Sequence, residues 1–228
     1  MPKNKKKPTP DVLHVAFVLD RSGSMGHLAR AVVSGVDEFV SELRRDEGDT
    51  LFSLTAFDTR FDHVHVATPL AEVRSLRETG YQPGGMTALF DAVAHTILST
   101  DERLRAEGRA DEKVMLVVMT DGLENSSTDY TAKTLGDLIQ AYDARPNWTF
   151  VYLGAAHANL AEAQDAAESL AFERGNAMRW EAEDAGVRLS MASLATATKH
   201  RRRSADLKSS RVFADAKQTE SDYIADGK

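Results

Sequence analysis

Cysteine is absent from the 228 residues. Disulfides, thiolate metal sites and cysteine nucleophiles are therefore excluded. No apolar run is long enough to span a bilayer, and the basic opening "MPKNKKKPTP" lacks the apolar stretch of a signal peptide. The patterns G-x-x-x-x-G-K-[ST] and G-x-G-x-x-G are missing too, which removes the common nucleotide-binding readings. These absences lead to the expectation of a soluble, cytoplasmic protein with no membrane contact.

What is present is a large apolar fraction, 42%, enough for a sizeable core, and an uneven charge. The chain carries −7, but residues 11–198 alone carry −14, because four Lys fall in residues 1–10 and four cations in "KHRRR" at 199–203. An acidic body repels nucleic acid and concentrates divalent cations. The two basic clusters are read as solvated tails or helix ends, so no nucleic-acid partner is expected.

The pattern of apolar residues alternates strand and helix. "DVLHVAFVL" (11–19), "TLFSLTAF" (50–57), "KVMLVVMT" (113–120) and "WTFVYLG" (148–154) are short apolar runs of the kind buried on both faces of a parallel sheet. "FDHVHVATPL" (61–70) alternates as an edge strand does, and this places His63 and His65 on one face. "AMRWEA" (177–182) is a last short strand. Helical spacing is expected over 26–45, in a short stretch near 70–77, and over 87–105, 128–144, 158–172 and 184–203, with Thr128 or Asp129 as the cap of the 128–144 helix. The order implies one three-layer α/β domain over 11–203, with a six-stranded, mostly parallel sheet of order 3-2-1-4-5-6 and 61–67 antiparallel at an edge. Residues 1–10 are expected to form a basic tail and 204–228 a peripheral one.

Ligands of such sheets bind beyond the carboxyl ends of the strands, and three polar loops lie there. "DRSGSMG" offers Asp20, Ser22 and Ser24. "GGMTAL" offers Thr87. "TDGLENSS" offers Asp121, with Gly122 behind it. Two carboxylates and three hydroxyls are an all-oxygen set, which suits a hard divalent cation. Two Asp balance its charge, and neutral hydroxyls leave it able to attract one more anionic oxygen.

"DRSGS" after a buried strand, "GGMT" opening a helix and "TDG" after a later strand resemble the von Willebrand factor A domain and its metal-ion-dependent adhesion site. The resemblance implies a Rossmann-like fold, no catalysis, and a metal site of Asp20, Ser22, Ser24, Thr87 and Asp121. The ion implied is Mg²⁺, with Mn²⁺ or Ca²⁺ as alternatives, and its open position takes a Glu or Asp from a protein partner. Met25, Gly85, Met86 and Gly122, beside those ligands, are then expected to face that partner. The chain is more similar to intracellular bacterial and phage members than to secreted ones, and some of those work beside AAA+ ATPases. Glu220, Asp222 and Asp226 of the tail are candidate mimics of the partner's acid, within the chain or from a neighbouring one.

Two enzyme readings compete. A haloacid-dehalogenase-type phosphatase also has an Asp at the end of its first strand and a Mg²⁺ loop similar to "TDGLEN", but its acid/base chemistry needs a carboxylate two residues on, where Ser22 stands. A serine hydrolase needs G-x-S-x-G, but in "SGSMG" Ser22 replaces the first Gly, and its base would have to be His157 or His200. Asp58 either hydrogen-bonds near the site or starts a turn, Asn125-Ser126-Ser127 is a formal glycosylation sequon, and Trp148 and Trp180 belong to the core.

Overall fold

A computed structural model describes residues 12–155, 160–173, 176–204 and 212–213. The strands are β1 (Leu13–Asp20), β2 (Thr50–Phe57), β3 (Phe61–Pro69), β4 (Lys113–Thr120), β5 (Trp148–Gly154) and β6 (Ala177–Arg179). They form one sheet in the order β3-β2-β1-β4-β5-β6, with β3 antiparallel to β2 and every other pair parallel. The helices are α1 (Ala29–Arg44), α2 (Leu76–Thr79), α3 (Leu89–Ala106), α4 (Ala132–Asp143), α5 (Leu160–Ser169) and α6 (Asp184–Arg203). This is the α/β architecture and strand order expected from the sequence.

Period-2 alternation splits β1 between two cores. Val15, Phe17 and Leu19 face α1 and α6, where Phe17, Phe39 and Phe52 pack with ring centroids 6.0–6.4 Å apart. Ala16 and Val18 face α3 and α4, beside Ile97, Ile139 and Trp148. Each large side chain fully buried this way contributes about 1.5–3 kcal/mol. Trp148 and Trp180 are both buried, as expected.

Four local expectations need correction or addition. His63 and His65 do not share a face. His65 pairs with Leu54 and His63 with Thr55, so two residues of β3 oppose one step of β2. This bulge turns the imidazoles to opposite sides. His65 packs on Phe52 in the α1 core, whereas His63 meets the Thr55 hydroxyl on the α3 side. The helix expected over 128–144 starts later, with Thr131 as its cap in a reciprocal pair with Thr134. The N–H groups of Thr128 and Asp129, the expected caps, donate instead to the Asp91 carboxylate. The "KHRRR" cluster is a helix end, as expected, forming the last turn of α6, and it also makes tertiary ion pairs. Arg202 reaches Asp46 and Thr50 Oγ1 (3.1 Å), Arg203 reaches Asp46 and Lys199 reaches Glu42 (3.0 Å), which ties α6 to α1. Within the stretch expected at the periphery, Val212 is buried in the α1–α6 core and its N–H donates to Asn176 Oδ1 at 2.8 Å. Residues 1–10, His157 and the tail acids Glu220, Asp222 and Asp226 lie outside the described residues.

Candidate metal centre

β1 and β4 are neighbours although 93 residues separate Asp20 from Lys113, so the topology reverses between them and their carboxyl ends open a crevice. Asp20 ends β1 and Thr120 ends β4, side by side. Asp20 has no solvent exposure, and both of its oxygens accept hydrogen bonds. Thr120 Oγ1 donates to Oδ2 at 2.6 Å and the Ser22 N–H donates to Oδ1 at 2.7 Å. The Tyr81 hydroxyl donates to the Asp20 carbonyl.

Neither serine of "DRSGS" spends its hydroxyl on capping. Ser22 occupies the N-cap of a short 3₁₀ turn, Gly23–Leu28, without a side-chain cap bond. Its Oγ instead lies 3.1 Å from Ser24 Oγ, and Ser24 Oγ donates to Asp121 Oδ1 at 2.7 Å. A turn-and-cap explanation of this motif therefore fails. The second loop joins through backbone bonds: the Gly23 N–H donates to the Gly85 carbonyl (3.1 Å) and the Gly84 N–H to the Arg21 carbonyl (2.8 Å). Gly85 has φ +73°, a left-handed conformation that favours glycine, and it sits in ordinary contact range of Asp58. Asp58 braces the loops. It accepts from Arg21 Nε (3.1 Å) and the Arg60 N–H (2.8 Å), and its carbonyl accepts from the Ala88 N–H (2.9 Å).

Gly122 marks the centre of the site. A Cβ placed on it would lie 3.5 Å from Thr87 Oγ1, 3.6 Å from Ser24 Oγ and 3.9 Å from Asp20 Oδ2. Oxygens of three loops thus surround a space that any larger residue would fill. Among the described residues no cation pairs with Asp20 or Asp121, and no cluster of three or more His, Cys, Asp or Glu side chains offers another metal site. Burial raises the Asp20 carboxyl above the usual carboxylate range against the bonds from Thr120 and Ser22, and the negative charge of Asp121 adds to the rise. Burial, then the Asp20 charge, also push the phenols of Tyr81 and Tyr152 upward, the latter to about 12. A buried carboxylate beside a second one, with hydroxyl oxygens between and no counter-charge, fits a hard divalent cation.

All five expected ligands are brought together here. Of the expected partner-facing residues, Gly85 and Gly122 line the loops and Met86 is 51% exposed. Met25 is a correction: it has no exposure, because the 3₁₀ turn points it into the α1 core. Sequence reasoning missed Thr120, whose placement beside Asp20 depends on the crossover, and Leu123, an apolar residue in a polar loop and 70% exposed. It also missed the bracing by Tyr81, Asp91, Glu124 and Asn125. His200, the expected base of a serine hydrolase, lies in the last turn of α6. That turn packs against the starts of β2 and β4, at the opposite end of the sheet.

The family model of the von Willebrand factor type A domain matches residues 14–174. The chain belongs to this family. No curated protein matches the sequence. Among solved structures, the vWF domain of the type V pili tip protein Mfa5 from Porphyromonas gingivalis is 13% identical, with a TM-score of 0.62 over 86% of this chain and 98% of that one. Proximal thread matrix protein 1 from the mussel byssus, in a form with a zinc-occupied MIDAS motif, is 15% identical, with a TM-score of 0.57 over 83% of this chain and 46% of that one. A von Willebrand factor type A protein from Catenulispora acidiphila is 16% identical, with a TM-score of 0.55 over 84% and 43%. The chain spans less than half the length of the last two. At these identities the likeness establishes the vWA fold, which is known for metal-dependent protein interaction. Among the described residues no helix is long and apolar enough to cross a membrane.

Proposed function

We propose that this vWA domain is a divalent-cation-dependent protein-binding module without catalytic activity. The observation that carries the reading is the convergence of Asp20, Ser24 and Thr87 oxygens on the space left by Gly122, with Ser22 and Asp121 hydrogen-bonded into the same set. Asp20 and Asp121 would balance the charge of Mg²⁺, and Ser22, Ser24 and Thr87 would complete a neutral hydroxyl face; Mn²⁺ or Ca²⁺ would fit the same oxygens. When bound, such an ion supplies Lewis-acid attraction for an external anionic oxygen.

The chain's own residues set what that oxygen can belong to. Thr120 and Ser22 each bond one oxygen of the Asp20 carboxylate and so fix its orientation, while each oxygen keeps a further lone pair for an ion. Met86 and Leu123 stand exposed next to Thr87 and Gly122, giving a docking partner apolar surface beside the polar centre. Because the surrounding body is acidic, a broadly acidic partner is repelled, and a single Glu or Asp on an exposed loop is the group that fits. An AAA+ ATPase is one class of partner consistent with the family resemblance.

The test is partner retention on immobilised protein in Mg²⁺, in EDTA, and with Thr87→Ala. The reading expects retention only for the wild type in Mg²⁺. Retention under all three conditions would place the interface elsewhere.

A further inference from the structure

Thr87 contributes a hydroxyl to the centre, yet its backbone is held by a residue of another loop. The Thr87 N–H donates to Asn125 Oδ1 at 2.8 Å, and the Thr87 carbonyl accepts from the Asn125 N–H at 3.0 Å. Both polar groups of one peptide position are therefore satisfied by Asn125 alone. The next residue, Ala88, is the N-cap of α3 and has no side chain able to cap. The third loop supplies the caps instead: the Phe90 N–H donates to Glu124 Oε2 (3.0 Å) and the Asp91 N–H to Ser127 Oγ (3.2 Å). Asp91 reciprocates by accepting the N–H groups of Thr128 (2.8 Å), Asp129 (3.1 Å) and Tyr130 (2.8 Å). Two carboxylates at a helix N-terminus also suit its dipole. The second and third loops are thus joined into one hydrogen-bonded body, with Thr87 at one end and Asp121 at the other.

We infer that Asn125 is a positioning residue for the metal centre, acting through Thr87; the inference rests on the metal reading above. Asn125 touches no expected ligand oxygen in the described bonds. It fixes the peptide from which the Thr87 hydroxyl projects, and so sets the distance between that hydroxyl and Asp121. Small octahedral ions tolerate little error in ligand position. Partners that orient ligands from outside typically carry about 10–100-fold of metal affinity. The apparent sequon at 125–127 then has a local structural purpose: Asn125 holds Thr87, and Ser127 caps α3.

The probe is Mn²⁺, followed by the electron paramagnetic resonance signal of the free aqua ion, in wild type, Asn125→Ala, Thr87→Ala and the double variant. Asn125 is exposed, so its replacement should leave the fold intact, which circular dichroism checks. Asn125→Ala is expected to weaken Mn²⁺ binding at least tenfold in the wild-type background and by under twofold when Thr87 is already Ala. Asn125→Asp, which keeps the acceptor for the Thr87 N–H, is expected to bind at least as tightly as wild type. Unchanged affinity in Asn125→Ala, or equal losses in both backgrounds, would overturn the positioning role while leaving the metal reading standing. A wild-type protein that leaves the free Mn²⁺ signal untouched would overturn the metal reading and this inference together.

Discussion

His14 lies inside β1 with no exposure, and its protonation can be assigned from its neighbours. Arg103 can only donate, so Nδ1 accepts its bond at 3.0 Å, and Nε2 must carry the hydrogen that reaches Ser53 Oγ at 2.8 Å. Burial, then the charges of Arg103 and Arg109, lower its pKa from 6.5 to about 3. The unfolded chain therefore takes up a proton that the native state refuses. Stability from this residue is complete above about 6.5 and is lost progressively as pH falls toward about 3. Denaturant titrations between pH 7 and 4 should show this acid limb. His14→Gln, which offers one acceptor and one donor but no titration, should flatten it; an identical limb in the variant would remove His14 as its cause. Asp20 carries a different expectation. Mg²⁺ bound only to the native state should raise its thermal midpoint by mass action, and Asp20→Ala should abolish the rise. A rise that survives the substitution would take Asp20 out of the site.

Among the elements, strands were legible where both faces are buried, since runs such as "KVMLVVMT" admit little else than a parallel core strand. The edge strand was legible as a strand but not in register. Nothing in "FDHVHVATPL" marks the bulges, which depend on pairing with β2, and so the two histidines were placed wrongly. The start of α4 was misplaced for a related reason, because the N–H groups of 128–130 are satisfied by Asp91, 37–39 residues away. Residue-level cap signals cannot report partners at that distance. Gly186 shows the same dependence on tertiary approach. A Cβ there would sit 2.2 Å from the Glu181 carbonyl oxygen, so the first turn of α6 packs directly on backbone. Gly186→Ala must shift the helix or the preceding turn, and overpacking of this kind costs about 1–3 kcal/mol. Chemical denaturation should register that loss, and a variant as stable as wild type would mean that this turn yields freely.

At the scale of the whole molecule, the crossover between β1 and β4 makes one centre of three loops, the first and third of which, at Ser24 and Asp121, are 97 residues apart in the chain. The five candidate ligands were legible because each loop follows or precedes a recognisable element. The residues that aim them were not, since Thr120, Asn125 and Glu124 become neighbours of the site only through the sheet order and the α3 cap. The same arrangement bears on chemistry. Ser22, two residues after Asp20, offers a hydroxyl bonded to Ser24 where phosphoryl transfer from Asp20 would need a carboxylic acid. Aryl phosphates with Mg²⁺ should therefore show no turnover above background; activity lost in Asp20→Asn would replace the binding module with an enzyme. The central claim is a bound cation with a position left for a partner's carboxylate. Pulsed electron paramagnetic resonance of the Mn²⁺-loaded protein, titrated with ¹³C-carboxyl acetate as the smallest stand-in for a Glu or Asp side chain, examines that position directly. The account predicts a ¹³C coupling that saturates with acetate and is absent in Asp20→Ala; protein-bound Mn²⁺ showing no ¹³C coupling at saturating acetate would contradict it.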